Sequence, residues 1–258
     1  MPKLGVGDTG STGEGDDVTV DTLFRGRVTL LQPARGFRSS LDAVLLAAFV
    51  RPPFGRFVDV GCATGAVALS LAAMDAAATG VGVEIQPRLA ALARRGLARN
   101  EFGGRVSFEE GDIRRLAGLA PLERAGFDLV VCNPPFRPLA GSVVSPDPEI
   151  AHAHHEVTLT LSECLDAAAV LRKPAGRVAL VLLASRVGEL VSGLVARGLP
   201  PRRLRFVHPT LDKPASRVLI EAGGAPGGGA PSCEVEAPLT LRGNDGHSDE
   251  MRRILGES

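Results

Sequence analysis

Five short apolar runs recur through the middle of the chain: GRFVDV, GVGVEI, RVSFEE, FDLVVC and GRVALVLL. Helical periodicity fills the gaps between them. Strand-length runs alternating with helical segments specify an α/β chain built on a doubly wound parallel sheet. Helices are expected over Gly65 to Met74, over Pro87 to Asn100 with proline in its first turn, and over Val187 to Arg197. Thr160-Leu-Ser-Glu163 reads as a capping box before the apolar face of LDAAAVL. The alternation then stops. LRFVHP and SRVLIEA are separated only by TLDKPA, too short for a helix, so these two strands are expected to pair antiparallel. Five βα units followed by a hairpin give a seven-stranded mixed sheet.

Appendages flank that core. VTVDTLFRGRVTLLQ reads as a small hairpin, followed by a helix after Ser40. GGAPGGGAPS is a flexible connector to CEVEAPLTLRG, an extra strand, and to a short helix over Asp249 to Leu255. Residues 1–16 read as a disordered tail and 17–258 as one domain with its core at about 50–222.

Composition narrows the class. The longest apolar runs fall well short of the ~20 residues a membrane span needs, and the N-terminus lacks the apolar region of a secretory signal. The four cysteines, Cys62, Cys132, Cys164 and Cys233, form no C-x-x-C pair. They are expected as buried thiols in a reducing compartment, which places the chain in the cytoplasm. Formal net charge is +0, so no global field draws nucleic acid or anionic lipid. Locally, Arg202, Arg203, Arg205, Lys213 and Arg217 crowd a stretch whose only acid is Asp212. Taken alone, this is a solvated charged edge; with an anionic partner it is a phosphate-binding surface.

In a doubly wound sheet, ligands bind beyond the carboxyl ends of the strands, where strand order reverses. Four successive strand ends carry suggestive residues. VDVGCATG places Asp59 before a turn bracketed by Gly61 and Gly65, where missing Cβ atoms let a ligand approach or simply allow tight packing. The turn is neither G-x-G-x-x-G nor a Walker loop. The second strand ends in Glu84, spaced to grip ribose hydroxyls. The third ends in Gly111-Asp112-Ile113, a carboxylate beside an apolar wall that suits an adenine amino group. The fourth runs into Asn133-Pro134-Pro135-Phe136. Each proline forces the preceding residue into extended geometry and removes a donor. Carbonyls and the Asn133 side-chain oxygen then dominate, and Phe136 adds an aromatic face. Such a site suits a flat molecule bearing an NH₂ group, although Asn-Pro-Pro is also a common turn.

These residues resemble those of class I S-adenosylmethionine-dependent methyltransferases over about Phe57 to Ala222. The resemblance implies a Rossmann-like seven-stranded sheet with VDVGCATG as the cofactor loop and S-adenosylmethionine as cofactor. It also makes Glu84 the ribose-binding acid, Asp112 the adenine contact and NPPF the amine-methylating signature. DTLFRGRVTLLQPARGFRSSLDAVLLAAF, HPTLDKPASRVLIEA and HSDEMRRIL are similar to the bacterial valine-tRNA adenine-N6 methyltransferases of the TrmN type. There Asp42 matches an acid near the cofactor; a plain helix N-terminal charge is the alternative. The substrate implied is tRNA, methylated on the adenine directly 3′ of the anticodon. On the strand from Arg202 to His208, side chains alternate: Leu204 and Phe206 point one way, Arg203 and Arg205 the other. These two arginines are expected on the outer face, holding tRNA phosphates with Lys213 in the connecting turn. Release-factor glutamine methylation, ribosomal guanine-N2 methylation and a non-catalytic RNA-binding module stay open.

The chain departs from the family pattern at three positions. Ala63 replaces the usual middle glycine of the loop, Phe136 a commoner tyrosine, and His154 an arginine. His152, His154 and His155 also invite a metal reading. Methyl transfer needs no metal, and a substrate-facing loop is the other reading.

Overall fold

The computed structural model describes residues 18–102, 104–115, 122, 126–135, 159–224, 232–243 and 245–257. The expected tail, Phe136, the His152 to His155 cluster and most of the glycine-rich connector lie outside the described residues.

Every apolar run is a strand, and the central ones are buried on both faces. Arg56–Val60 (β3), Thr79–Glu84 (β4), Val106–Glu110 (β5), Phe127–Cys132 (β6) and Arg172–Leu183 (β7) are parallel wherever they are neighbours. Pro201–His208 (β8) and Arg217–Gly223 (β9) form the antiparallel pair, with β9 inserted between β7 and β8. The order across these seven is β8-β9-β7-β6-β3-β4-β5. Val58, Leu129, Val130, Val131, Val178 and Ile220 are fully buried. Near-continuous apolar strands are what a sheet covered by helices on both faces requires.

The hairpin at the start is Val18–Leu23 (β1) paired antiparallel with Val28–Pro33 (β2). It leads to helix Leu41–Phe49 (α1), whose N-cap Ser40 accepts the Asp42 backbone N–H. The core helices are Ala66–Met74 (α2), Pro87–Leu97 (α3), Leu161–Leu171 (α4) and Val187–Ala196 (α5). The capping box at α4 forms as expected: Thr160 Oγ1 accepts the Glu163 N–H while Glu163 accepts the Thr160 N–H. Asn100, just past α3, donates to the Thr29 carbonyl at 2.8 Å and accepts its N–H at 2.9 Å. That pair fixes the hairpin against the core.

Among the described residues the sheet has nine strands, two more than the expected core. CEVEAPLTLRG supplies both, Glu234–Val235 (β10) and Leu239–Thr240 (β11), each parallel to β8. Pro238 has no N–H to donate and lies between the two segments, so one expected strand becomes two. Together they cover what would otherwise be the open edge of β8. Arg242–Gly243 (β12) and Gly246–His247 (β13) make a small hairpin before helix Asp249–Leu255 (α6).

All four cysteines are free thiols; Cys62, Cys132 and Cys164 are buried as expected, whereas Cys233 is exposed. Among the described residues no helix is long and apolar enough to cross a membrane.

Candidate active site

Strand order reverses between β3 and β6, which are neighbours with β4 and β5 on one side and β7 on the other. A cleft of about 850 Å³ opens above that point. Phe37, Asp59, Gly61, Glu84, Ile113, Asn133 and Leu159 are among the residues that line it.

Backbone bonds anchor the start of the β3–α2 loop. Gly61 and Cys62 both donate their N–H to the Val83 carbonyl, at 2.9 and 3.0 Å. Gly61, Ala63 and Gly65 all take positive φ, 69°, 49° and 86°. The two glycines serve different ends. A Cβ on Gly61 would meet nothing within 4 Å, so this backbone is open to the cleft. A Cβ on Gly65 would sit 2.5 Å from the Phe108 ring, so here glycine allows packing.

Three carboxylates surround this loop, each held differently. Asp59 is buried, and its Oδ2 accepts the Ala68 N–H of α2 at 3.1 Å. Burial raises its pKa to about 7; the Ala68 N–H partly offsets this, and the nearby Glu84 charge adds to it. Glu84 accepts the Ala63 N–H on Oε2 at 2.9 Å and the Gln86 N–H on Oε1 at 2.8 Å. Each carboxylate oxygen has two acceptor sites, so these bonds orient the group without exhausting it. Asp112 receives both Nε and Nη2 of Arg114 at 2.8 Å, which holds its carboxyl below the usual range. Ile113, next to it, is buried.

Asn133 follows β6 directly. Its Oδ1 is buried and has no hydrogen-bond partner among the described residues. A buried, unpaired acceptor costs about 1–3 kcal/mol. Such a group at the floor of a cleft points to a donor supplied by a ligand. Pro134 and Pro135 line the same cleft.

Asp59, Gly61, Glu84, Asp112, Ile113, Asn133, Pro134 and Pro135 therefore converge on one cleft. Asp42 lies away from it, on α1, ion-paired with Arg217 (Nε to Oδ1, 3.0 Å). The expected outward-facing arginines are also placed otherwise. Arg203 is 6 % exposed and bonds Glu236 at 2.9 Å, the Phe49 carbonyl at 2.7 Å and Glu221 at 3.3 Å. Arg205 forms a bidentate pair with Glu250 at 2.8 and 2.7 Å. Side chains alternate along β8 as expected, but the second face is covered by α1 and the C-terminal extension instead of water. These two guanidiniums are committed to internal acids. Lys213, in the turn, is exposed.

Sequence reasoning missed the supports. Ser39 Oγ and Thr64 Oγ1 lie 3.0 Å apart, and the Ser39 N–H donates to Gln32 Oε1 at 2.6 Å. This chain ties the N-terminal hairpin to the β3–α2 loop. Arg114, which orients Asp112, was also missed, although its place two residues after that acid was a local signal.

A family model described as "Methyltransferase small domain" matches residues 40–181, which hold all the cleft residues from Ala43 to Leu159. The chain belongs to that family. Some of its relatives have names that give an activity. A protein of Porphyromonas gingivalis, named tRNA1(Val) (adenine(37)-N6)-methyltransferase, is 33% identical over 200 residues, covering 76% of this chain and 78% of that one. A Vibrio campbellii protein of the same name is 26% identical over 224 residues, covering 86% and 88%. The crystal structure of a predicted O-methyltransferase from Agrobacterium tumefaciens superposes with a TM-score of 0.65 at 22% identity, covering 83% and 95%. That likeness shows the class I fold.

The small-domain methyltransferase uses S-adenosylmethionine as cofactor, and the cleft fits it. Glu84 would accept from the ribose hydroxyls, and Asp112 beside Ile113 would take the adenine. Gly61 leaves the backbone open to close approach.

Proposed function

We propose that this chain transfers a methyl group to N6 of adenine in tRNA, at the position directly 3′ of the anticodon. The relatives' shared name, with its adenine(37)-N6 specificity, supports the substrate. The observation that carries the chemistry is the unpaired, buried Oδ1 of Asn133 in the cofactor cleft.

An exocyclic amine on adenine is a poor nucleophile because its lone pair is delocalised into the ring. Asn133 Oδ1 and the Pro134 carbonyl accept hydrogen bonds from its two N–H groups, which turns the lone pair out of conjugation. Both acceptors are fixed by the extended backbone that consecutive prolines impose. When bound, S-adenosylmethionine would supply the electrophilic methyl, its S–CH3 bond breaking to leave S-adenosylhomocysteine. The protein's contribution is orientation, with no covalent enzyme intermediate, and the amine proton leaves to solvent after methylation. Phe136 is assigned to stack on the base. The base reaches the cleft from an unpaired loop or by flipping out of a stack.

In this reading residues 17–258 work as one catalytic domain, and the enzyme acts in the cytoplasm, where its tRNA is matured. The test is nucleoside analysis of tRNA from a strain lacking the relatives' activity, after incubation with this protein and radiolabelled donor. N6-methyladenosine is the expected product. Label in N2-methylguanosine, or in a release-factor glutamine when that protein is supplied, would overturn the assignment.

A further inference from the structure

A second cleft adjoins the first across the start of α1. Ser39 and Ala43 face the cofactor cleft, while Ser40, Leu41, Asp42 and Leu45 face the second. The second cleft is larger, about 1130 Å³, and its other wall is the β8–β9 turn together with Leu241, Arg242 and His247.

Strand register places this cleft on the same rim as Asn133. Cys132, the last residue of β6, pairs with Leu180 of β7, and β7 continues to Leu183, which pairs with Arg217 of β9. Three more residues of strand raise the start of β9 about 10 Å above the end of β6. The β8–β9 turn thus forms a wall beside the methylation site.

The lining has two characters. Leu41, Leu45, Pro209 and Leu241 provide an apolar surface. The cations differ in what they face. Arg217 is neutralised by Asp42 at 3.0 Å, and His247 Nδ1 is bonded to Glu257 at 2.9 Å. Arg242 is exposed and makes no ion pair among the described residues. The Lys213 side chain is 65% exposed, and Asp212 approaches it only at 4.0 Å. The balance is therefore positive at the lip, over an apolar floor. An unstacked nucleotide has the matching form, with a flat apolar face and an anionic phosphate.

Resting on the tRNA reading above, we infer that this second cleft seats a nucleotide neighbouring the methylated adenine. Its base lies on Leu41, Leu45, Pro209 and Leu241, and its phosphate is held by Lys213 and Arg242. The segment from Ser39 to Ala43 then separates the two bases, one on each side. This assigns RNA positioning to Lys213 and Arg242, in place of the buried Arg203 and Arg205.

The experiment compares the full chain with its Lys213→Ala/Arg242→Ala double variant on an unmodified tRNA transcript. Both side chains are exposed, so the melting temperature and the calorimetric affinity for S-adenosylhomocysteine are expected to match the parent. The KM for tRNA should rise about tenfold or more, with kcat retained. The log–log salt slope of tRNA binding should fall by about 0.7–0.9 for each phosphate the variant no longer neutralises. A double variant with the parent's KM and slope would overturn the inference while leaving adenine methylation standing. A parent that transfers no methyl to tRNA would overturn the functional reading, and this inference with it.

Discussion

Glu84 Oε2 accepts the backbone N–H of Ala63 at 2.9 Å, and Ala63 is the one non-glycine residue in the cofactor loop with positive φ. The bond explains how alanine is tolerated at a left-handed position that favours glycine. A left-handed alanine costs ~1–2 kcal/mol through its Cβ, and a charge-assisted bond to a buried carboxylate offsets that cost.

Ala63→Gly should therefore stabilise the protein. Relief of the Cβ clash outweighs the ~0.5–1 kcal/mol of extra chain entropy that glycine loses on folding. A net gain of about 0.5–1 kcal/mol corresponds to a rise of roughly 1–4 °C in melting temperature for a chain of this size. A lower melting temperature would show that the loop relaxes around alanine at no cost.

The same carboxylate carries the second expectation. Glu84→Ala removes the acceptor proposed for the ribose hydroxyls and leaves the Ala63 and Gln86 N–H groups without their partner. Hydrogen bonds to charged groups contribute about 1.5–3 kcal/mol each. The dissociation constant for S-adenosylmethionine should rise at least about tenfold by calorimetry. Unchanged affinity would place the ribose elsewhere.

How much of this was readable depends on sequence distance. Asp59, Glu84, Asp112 and Asn133 were legible because each lies at or just beyond the end of an apolar run, and a doubly wound sheet brings those ends to one rim. The capping box at Thr160 was legible because its partner is three residues away. Arg203 was not. Its partners Glu221, Glu236 and the Phe49 carbonyl lie 18, 33 and 154 residues away, and no local pattern announces them. Alternation along β8 gave the correct face for Arg203 but not what covers that face. Asp42 and Arg217, 175 residues apart, were likewise legible only as separate charges.

Arg203 thus becomes a stability residue. Its guanidinium bonds two acids and a carbonyl, and it stacks 4.0 Å over the Phe49 ring. Removing one partner of a buried ion pair costs about 3–5 kcal/mol, because the remaining charges stay buried. Arg203→Ala should lower the melting temperature by roughly 6–20 °C. An undiminished melting temperature, with weakened tRNA binding, would return Arg203 to the RNA surface.

Asp59 sets a pH dependence. Its folded pKa, about 7, lies above the ordinary 3.8, so the native state keeps a proton that the unfolded chain has released. The stability this contributes is fully present below about pH 4 and is lost as pH rises through 7. Asp59→Asn keeps an oxygen for the Ala68 N–H and removes the ionisation. Its stability relative to the parent should increase between pH 5 and pH 8, by an amount on the order of a few kcal/mol. Urea unfolding of both proteins at the two pH values measures it. Equal differences would show that Asp59 is ionised throughout.

Asn133 is the sharpest test of the chemistry. Its Oδ1 has no partner among the described residues, so Asn133→Ala breaks no hydrogen bond of that oxygen there and should leave the fold intact. Cofactor binding should also persist, because Glu84 and Asp112 are untouched. The amine, however, loses the acceptor that turns its lone pair out of the ring. Positioning groups of this kind contribute about 10²-fold or more to the rate. Single-turnover methylation of tRNA should slow by that factor, with donor affinity close to the parent's. Near-normal turnover would mean that the amine is oriented by other atoms and that the unpaired oxygen serves another ligand.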